Sequence, residues 1–120
     1  MAKASEGIYG IIPGSMGTNS YIIKGKSNHL SLNSCSHGAG RKMGRMQFSR
    51  SMKDSMDEIE KSLEGVLHTE FSEVQYGKNK GMKDVSEAPA AYKDIDSVMS
   101  NQTDLVDIAV KLRPLISIKG

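Results

Sequence analysis

Short apolar runs, each cut off within a few residues, set the strongest limit on what this chain can fold into. Tyr9 to Ile12 is stopped by Pro13-Gly14, and Ser20 to Lys24 by Gly25 and the polar residues after it. Runs of that length read as strands, and the glycine, proline and asparagine between them as turns. The sequence therefore predicts strands over 9–12 and 20–24, a hairpin connection over 25–28 and a returning strand over 30–34. A helix is expected over about 40–50. Ser55 would cap a second, with Asp57 and Glu58 in its first turn, Gly65 just past its end, and Met56, Ile59 and Leu63 on its apolar side. Residues 66–71 read as a strand and the lysine-rich 76–83 as a loop. Pro89 suits the first turn of a third helix that would bury Ile95, Val98 and Met99. A β-type run over 108–119 closes the chain, with Pro114 arguing for an edge strand or a bulge. Such irregular alternation implies an α+β fold, a mixed, largely antiparallel sheet with flanking helices, rather than repeated βαβ units. Residues 1–7 read as a loose leader and 8–120 as the folded portion.

Composition narrows the class without naming a function. A chain of 120 residues suits one domain with a modest core. The net charge of +2 is too small to diagnose a nucleic-acid binder. Its distribution says more: Arg41, Lys42, Arg45, Arg50 and Lys53 lie in an acid-free stretch, followed by one that is acidic on balance. That pattern fits a polyanion-binding patch and equally a common solvated surface. Cys35 is the single cysteine, so no intrachain disulfide can form, which fits a reducing compartment. No apolar run approaches membrane-spanning length and the N-terminus lacks a signal-peptide core, so a cytoplasmic protein is expected.

The chemistry-bearing segment is His37-Gly38-Ala39-Gly40-Arg41. Glycines let a backbone approach a ligand closely with its N–H groups accessible. A helix beginning just beyond them would aim its positive end at an anion. Arg41 and Arg45 would share one face of that helix. A neutral His37 imidazole beside such a cradle could attack phosphorus while the cradle neutralises the phosphoryl oxygens.

Each of these features has a plainer reading. The turn Pro13-Gly14-Ser15-Met16-Gly17-Thr18, with Ser20 beyond it, could hold a phosphate or ribose, or be an ordinary Pro-Gly turn. It lacks the Gly-Lys-Ser/Thr ending of a P-loop. His37 taken alone is more often structural, and His29 and His68 read as ordinary residues. The histidines and Cys35 show no zinc-type spacing, so no complete metal site is expected in this chain. In an extended strand Cys35 and His37 would share a face, which leaves open a nucleophile pair. Tyr92 could stack on a base or pack a helix, and Lys119 could simply be solubilising.

Four segments in order then resemble RtcB-type RNA ligases: 12–18, 33–41, Ala88-Pro89-Ala90-Ala91-Tyr92-Lys93 and the ending Ile118-Lys119-Gly120. The resemblance runs from about Ile11 to the last residue. It implies a GTP-dependent ligase that joins an RNA 3′-phosphate or 2′,3′-cyclic phosphate to a 5′-hydroxyl, as in tRNA splicing and RNA repair. By similarity His37 would attack the α-phosphorus of GTP and carry GMP. Pro13, Gly14, Ser15, Met16, Ser20, Gly38, Ala39, Gly40 and Lys119 match family positions that hold the guanylate, and Tyr92 one that packs on guanine. Arg41 and Arg45 are the expected contacts to RNA phosphates or pyrophosphate. Family members are several times longer, and this chain resembles their C-terminal part, an incomplete part of the larger fold. The family's Mn2+ ligands belong to the earlier portion, which as a separate chain would be a possible partner. The isolated chain is therefore expected to be catalytically dead or nearly so. The alternative is a non-catalytic nucleotide- or RNA-binding remnant.

Overall fold

The computed structural model describes residues 2–119, so Met1 of the expected leader and Gly120 of the terminal motif lie outside the described residues. The chain divides into two compact units. The first takes the chain up to Gly14, then Thr18–Gly40 and Lys93–Arg113; the second takes Ser15–Gly17, Arg41–Tyr92 and the chain from Pro114 on. Both helices and mostly antiparallel strands are present, which makes the fold α+β as the sequence implied.

The first unit is built on a three-stranded antiparallel sheet of β2 (Tyr9–Ile12), β3 (Ser20–Gly25) and β6 (Val106–Leu112), in the order β2-β3-β6. Alternation along β3 sends Tyr21 and Ile23 inward, where they pack with Ile12, Cys35, Ile95, Met99 and Val106. Helix α3 (Ile95–Ser100) supplies Ile95 and Met99, and its Asp94 cap accepts the Asp96 N–H at 3.2 Å. The residues expected as a loose leader are tied down: β1 (Ala2–Lys3) pairs with β4 (Ser34–Cys35), and Ala4 is buried.

The predicted returning strand over 30–34 does not form. The Asn28 side chain instead accepts the Leu30 N–H at 2.9 Å and starts a 3₁₀ turn over His29–Ser31. Leu32 and Asn33 follow in the left-handed region. The local Asn28 cap outcompetes the pairing that apolar content suggested, and β6, distant in sequence, takes the open edge of β3.

The second unit has its own core of Met16, Phe48, Ile59, Leu63, Val85, Ala88 and Ala91. Helix α1 (Arg45–Ser51) buries Phe48 and Ser49; α2 (Met56–Ser62) starts after Ser55 and buries Ile59, but the Ser55 side chain makes no capping hydrogen bond. Two corrections concern its other elements. The strand expected over 66–71 shrinks to β5 (Leu67–His68), which pairs in parallel with β7 (Ile116–Ser117). The helix expected from Pro89 is only a 3₁₀ turn over Pro89–Ala91, because Tyr92 is extended and bridges to Arg41. Pro114, in neither strand, ends the β-run that began at β6 and separates it from β7.

Candidate functional site

In the first unit His37 is exposed on a bend directly after β4, with Gly38 next to it. The bend is held from inside. The buried Gln102 accepts the Ser36 N–H at 3.0 Å, and the Ser36 hydroxyl donates to the Gly38 carbonyl. Ala39 packs against the first core. Gly40 takes φ +78°, open to glycine at little cost, and its carbonyl accepts the Lys93 N–H at 2.9 Å.

The 13–20 turn is closed by chemistry that the sequence displayed. The Gly14 N–H donates to Ser20 Oγ at 2.9 Å. A Cβ at Gly14 would stand 2.1 Å from the Asn19 carbonyl oxygen, so only glycine fits. Gly38 lies beside this turn, since a Cβ placed on it would meet the Pro13 carbonyl oxygen at 3.8 Å. Within the first unit, then, Gly38 of the His37–Gly38 bend lies beside Pro13, in a turn that Gly14 and Ser20 close.

The helix expected directly after the glycines starts late. Gly44 is the extended residue preceding α1, and the Lys42 N–H is committed to the Ala91 carbonyl at 2.9 Å. Arg41 is consequently extended, paired with Tyr92, and does not share a helix face with Arg45. The pairing of Cys35 with His37 also fails. Cys35 is buried, and burial pushes its thiol up, whereas His37 faces out.

In the second unit Arg41, Arg45 and Tyr92 converge on a residue that the sequence did not single out, Glu87. The Tyr92 hydroxyl donates to its carboxylate, Arg45 bonds it, and Arg41 Nη1 lies 3.8 Å away. The Arg41 guanidinium covers one face of the Tyr92 ring at 4.9 Å and donates to the Tyr92 hydroxyl at 3.2 Å. Burial pushes the Tyr92 phenol up, with Glu87 adding to the shift and Arg41 opposing it. The buried Arg41 Nη2 has no acceptor among the described residues, so it keeps a donor to offer an anion. Met16 is a core side chain, which leaves its backbone as the part available to a ligand. Ser15 Oγ accepts the Gly17 N–H at 3.5 Å.

Lys119 is exposed, and its main-chain N–H donates to Thr69 Oγ1 at 3.1 Å beside β7. Its charge reaches Asp84. Burial pushes that carboxyl up, but hydrogen bonds from Ser86, aided by Lys119 and Arg45, bring it below its ordinary value.

Gln102 and Glu87 are what sequence reasoning missed. Neither sits in a motif. The one available hint was that Arg41 and Arg45 lie in an acid-free stretch and needed a counter-ion from elsewhere.

The comparison with known families resolves the class. The chain matches the family described as tRNA-splicing ligase RtcB over residues 2–120. It is 42% identical over 118 residues to the RNA-splicing ligase RtcB of Escherichia coli. The chain belongs to the RtcB family. The Escherichia coli match covers 98% of this chain and 26% of the relative. The tRNA-splicing ligase RtcB of Nanoarchaeum equitans is 36% identical over 115 residues, covering 92% of this chain and 22% of that protein. The chain thus spans about a quarter of the length of these RtcB relatives.

Two groups implied by the RtcB resemblance meet different fits. The bend around His37 has room for a phosphate, since a Cβ on Gly40 would meet nothing within 4 Å and one on Gly38 only Pro13. Manganese does not fit this chain's own residues: among the described residues no three of His, Cys, Asp and Glu gather where they could hold a metal ion. Nor, among those residues, is any helix long and apolar enough to cross a membrane.

Proposed function

We propose that this chain is the guanylate-accepting, C-terminal portion of a cytoplasmic GTP-dependent RNA ligase. With the rest of the fold it would join RNA 3′-phosphate or 2′,3′-cyclic phosphate ends to 5′-hydroxyl ends. The observation that carries this reading is the exposed imidazole of His37 on a glycine bend, within a chain of the RtcB family. A His37 nitrogen attacks the α-phosphorus of GTP; the N–P bond forms and pyrophosphate leaves, giving guanylylated histidine. GMP then passes to the RNA 3′-phosphate (a 2′,3′-cyclic end being first opened by water), and the 5′-hydroxyl displaces GMP as the phosphodiester forms.

The chain's own residues divide the remaining work. Gly38, Ala39 and Gly40 bring main-chain amides to the phosphate, with Pro13, Gly14 and Ser20 beside them. Ser15, Met16 and Lys119 contact the guanylate, and Tyr92, half-buried against the second core, packs on guanine. Arg41, with its unpaired Nη2, and Arg45, which shares Glu87 with it, are the contacts to RNA phosphates or pyrophosphate. The family's manganese ligands come from the earlier portion.

The test is incubation with α-labelled GTP and manganese, with and without a separately expressed N-terminal portion of an RtcB relative. The chain alone is expected to take no label, and the mixture to label His37 and recover ligation. RNA or nucleotide binding with no labelling in the mixture would favour a non-catalytic remnant. Strong labelling of the chain alone would overturn its dependence on the missing part.

A further inference from the structure

The two arginines that stood out in sequence share Glu87 as counter-ion, whereas Arg50, Lys53, Lys78 and Lys80 of the second unit have no acidic partner among the described residues. Arg50, near the end of α1, and Lys53, just after it, line a groove of about 580 Å³ together with Lys78 and Lys80 from the 76–83 loop. Asn79, Gly81 and Met82 complete the lining, so none of the described residues that line it is an acid. Among the described residues none of the four cations is in an ion pair, whereas Lys83, just outside, is paired with Glu73 at 3.7 Å.

The groove is built rather than incidental. Gly77 and Gly81 take φ +78° and +85°, and the loop they bound is cross-linked by Lys80 N–H to Gly77 O and Met82 N–H to Asn79 O. Val74 and Met82 close it with a 2.8 Å bond, and Gly81 N–H returns to Val74 O. The buried Ser49 of α1 accepts the Val85 N–H at 3.2 Å, which pins the segment following the loop to the helix that carries Arg50. Four like charges held around one concavity repel one another, and a polyanion relieves that repulsion by releasing its counterions.

We infer that this groove binds the phosphate backbone of the RNA strand, as a contact separate from the guanylate-accepting residues around His37. The inference rests on the RNA-ligase reading for the identity of the polyanion. Single-stranded RNA is favoured over an acidic protein because the lining offers cations and one amide, with Met82 its single large apolar side chain.

The test is binding of a fluorescent, unstructured RNA oligonucleotide to the full chain across a range of salt concentrations. Neutralising two contacts in Lys78→Gln/Lys80→Gln should weaken binding on the order of tenfold near 0.1 M salt and reduce the log–log salt slope by about 1.4. Arg50→Gln/Lys53→Gln, on the other wall, should do the same, and an unchanged urea midpoint shows that each variant is folded. Wild-type affinity and slope in both variants would overturn the inference. So would equal binding of polyglutamate at matched charge, which would assign the groove to an acidic protein. Failure of the ligase reading is read separately, as absent His37 labelling in the complemented wild-type chain.

Discussion

The Gln102 side-chain carbonyl accepts the Ser36 N–H at 3.0 Å, one residue before His37. Gln102 is 5% exposed, and its amide group meets Met99 Sδ at 3.4 Å. A long-range polar contact from inside the core therefore fixes where the exposed imidazole begins. Gln102→Leu should cost roughly 1–2 kcal/mol, because the Ser36 N–H loses a partner that water cannot readily replace. Urea denaturation measures that loss. Hydrogen exchange should locate it, with the Ser36 amide accelerated more than amides in β3. Unchanged exchange at Ser36 would show that the contact carries no weight.

Two glycines beside that bend should respond oppositely to alanine. At Gly14 a Cβ would stand 2.1 Å from Asn19 O and 2.6 Å from Thr18 O, both backbone atoms. Gly14→Ala must therefore open the turn and should cost roughly 3 kcal/mol. At Gly38 the nearest atom is Pro13 O at 3.8 Å, an ordinary contact. Gly38→Ala should stay within about 0.5 kcal/mol of wild type. Paired urea midpoints decide both.

Glu87 holds the second unit's cation cluster together, so its charge should be visible in the Tyr92 phenol. Burial raises that phenol first, and the Glu87 carboxylate raises it further. Glu87→Gln removes the anion while Arg41 stays on the ring, so Tyr92 should titrate at lower pH than in wild type. Ultraviolet difference titration reads this directly, with Tyr92→Phe identifying the transition. Stability should fall by about 1 kcal/mol, the scale of a partly exposed ion pair plus a hydrogen bond.

The first unit carries an alkaline limit of its own. The Tyr21 phenol is pushed up to about 12 from its ordinary 10.0, first by burial and then by its hydrogen bond to Asp96. A folded-state value above the unfolded one stabilises fully below about pH 10 and is lost as pH rises toward 12. Tyr21→Phe should flatten that alkaline decline by about 2 kcal/mol, measured as the urea midpoint against pH. On the acid side Asp96 is held below its ordinary value, chiefly by the same Tyr21 hydrogen bond. Its contribution is present above the ordinary carboxylate value and fades as pH falls below it, so Tyr21→Phe should soften that limit as well.

Local chemistry was legible in the sequence, and long-range pairing was not. The strands expected over 9–12 and 20–24 are legible because short apolar runs stopped by Pro-Gly or Gly are local signals, and the second extends one residue further, to Gly25. Helix α2 is legible through Asp57 and Glu58 in its first turn and the apolar positions Ile59 and Leu63. The partner of β3 is not legible locally, since β6 lies more than eighty residues away and the Asn28 cap turns the nearer segment away from pairing. Around the candidate site Gln102 and Glu87 act through space on segments remote in sequence, so no motif announces them. Arg41 is extended rather than helical because it bridges to Tyr92, a pairing that nothing in its own segment announces.

The register of β6 accounts for a surface that should make this chain associate. A bulge shifts the pairing between Ile22 and Ile23, so Ile23 faces Ile108 while Ile22 faces Val110, with Ala109 as the extra residue. Val106 therefore joins the core side, and Val110 turns to the opposite face, where Ile22 and Ile11 extend one apolar row across three strands. Ile11 is 65% and Val110 44% exposed, with Tyr9 on the same face also open. A contiguous apolar row on a sheet face favours contact with another surface. The isolated chain should bind a hydrophobic dye and self-associate with rising concentration. Ile11→Thr/Val110→Thr should reduce both while leaving the urea midpoint within about 0.5 kcal/mol, because both side chains are already partly solvated. Adding the N-terminal portion of an RtcB relative should quench dye binding to the wild-type chain. Dye binding that persists undiminished in the double variant would move the sticky surface elsewhere in the molecule.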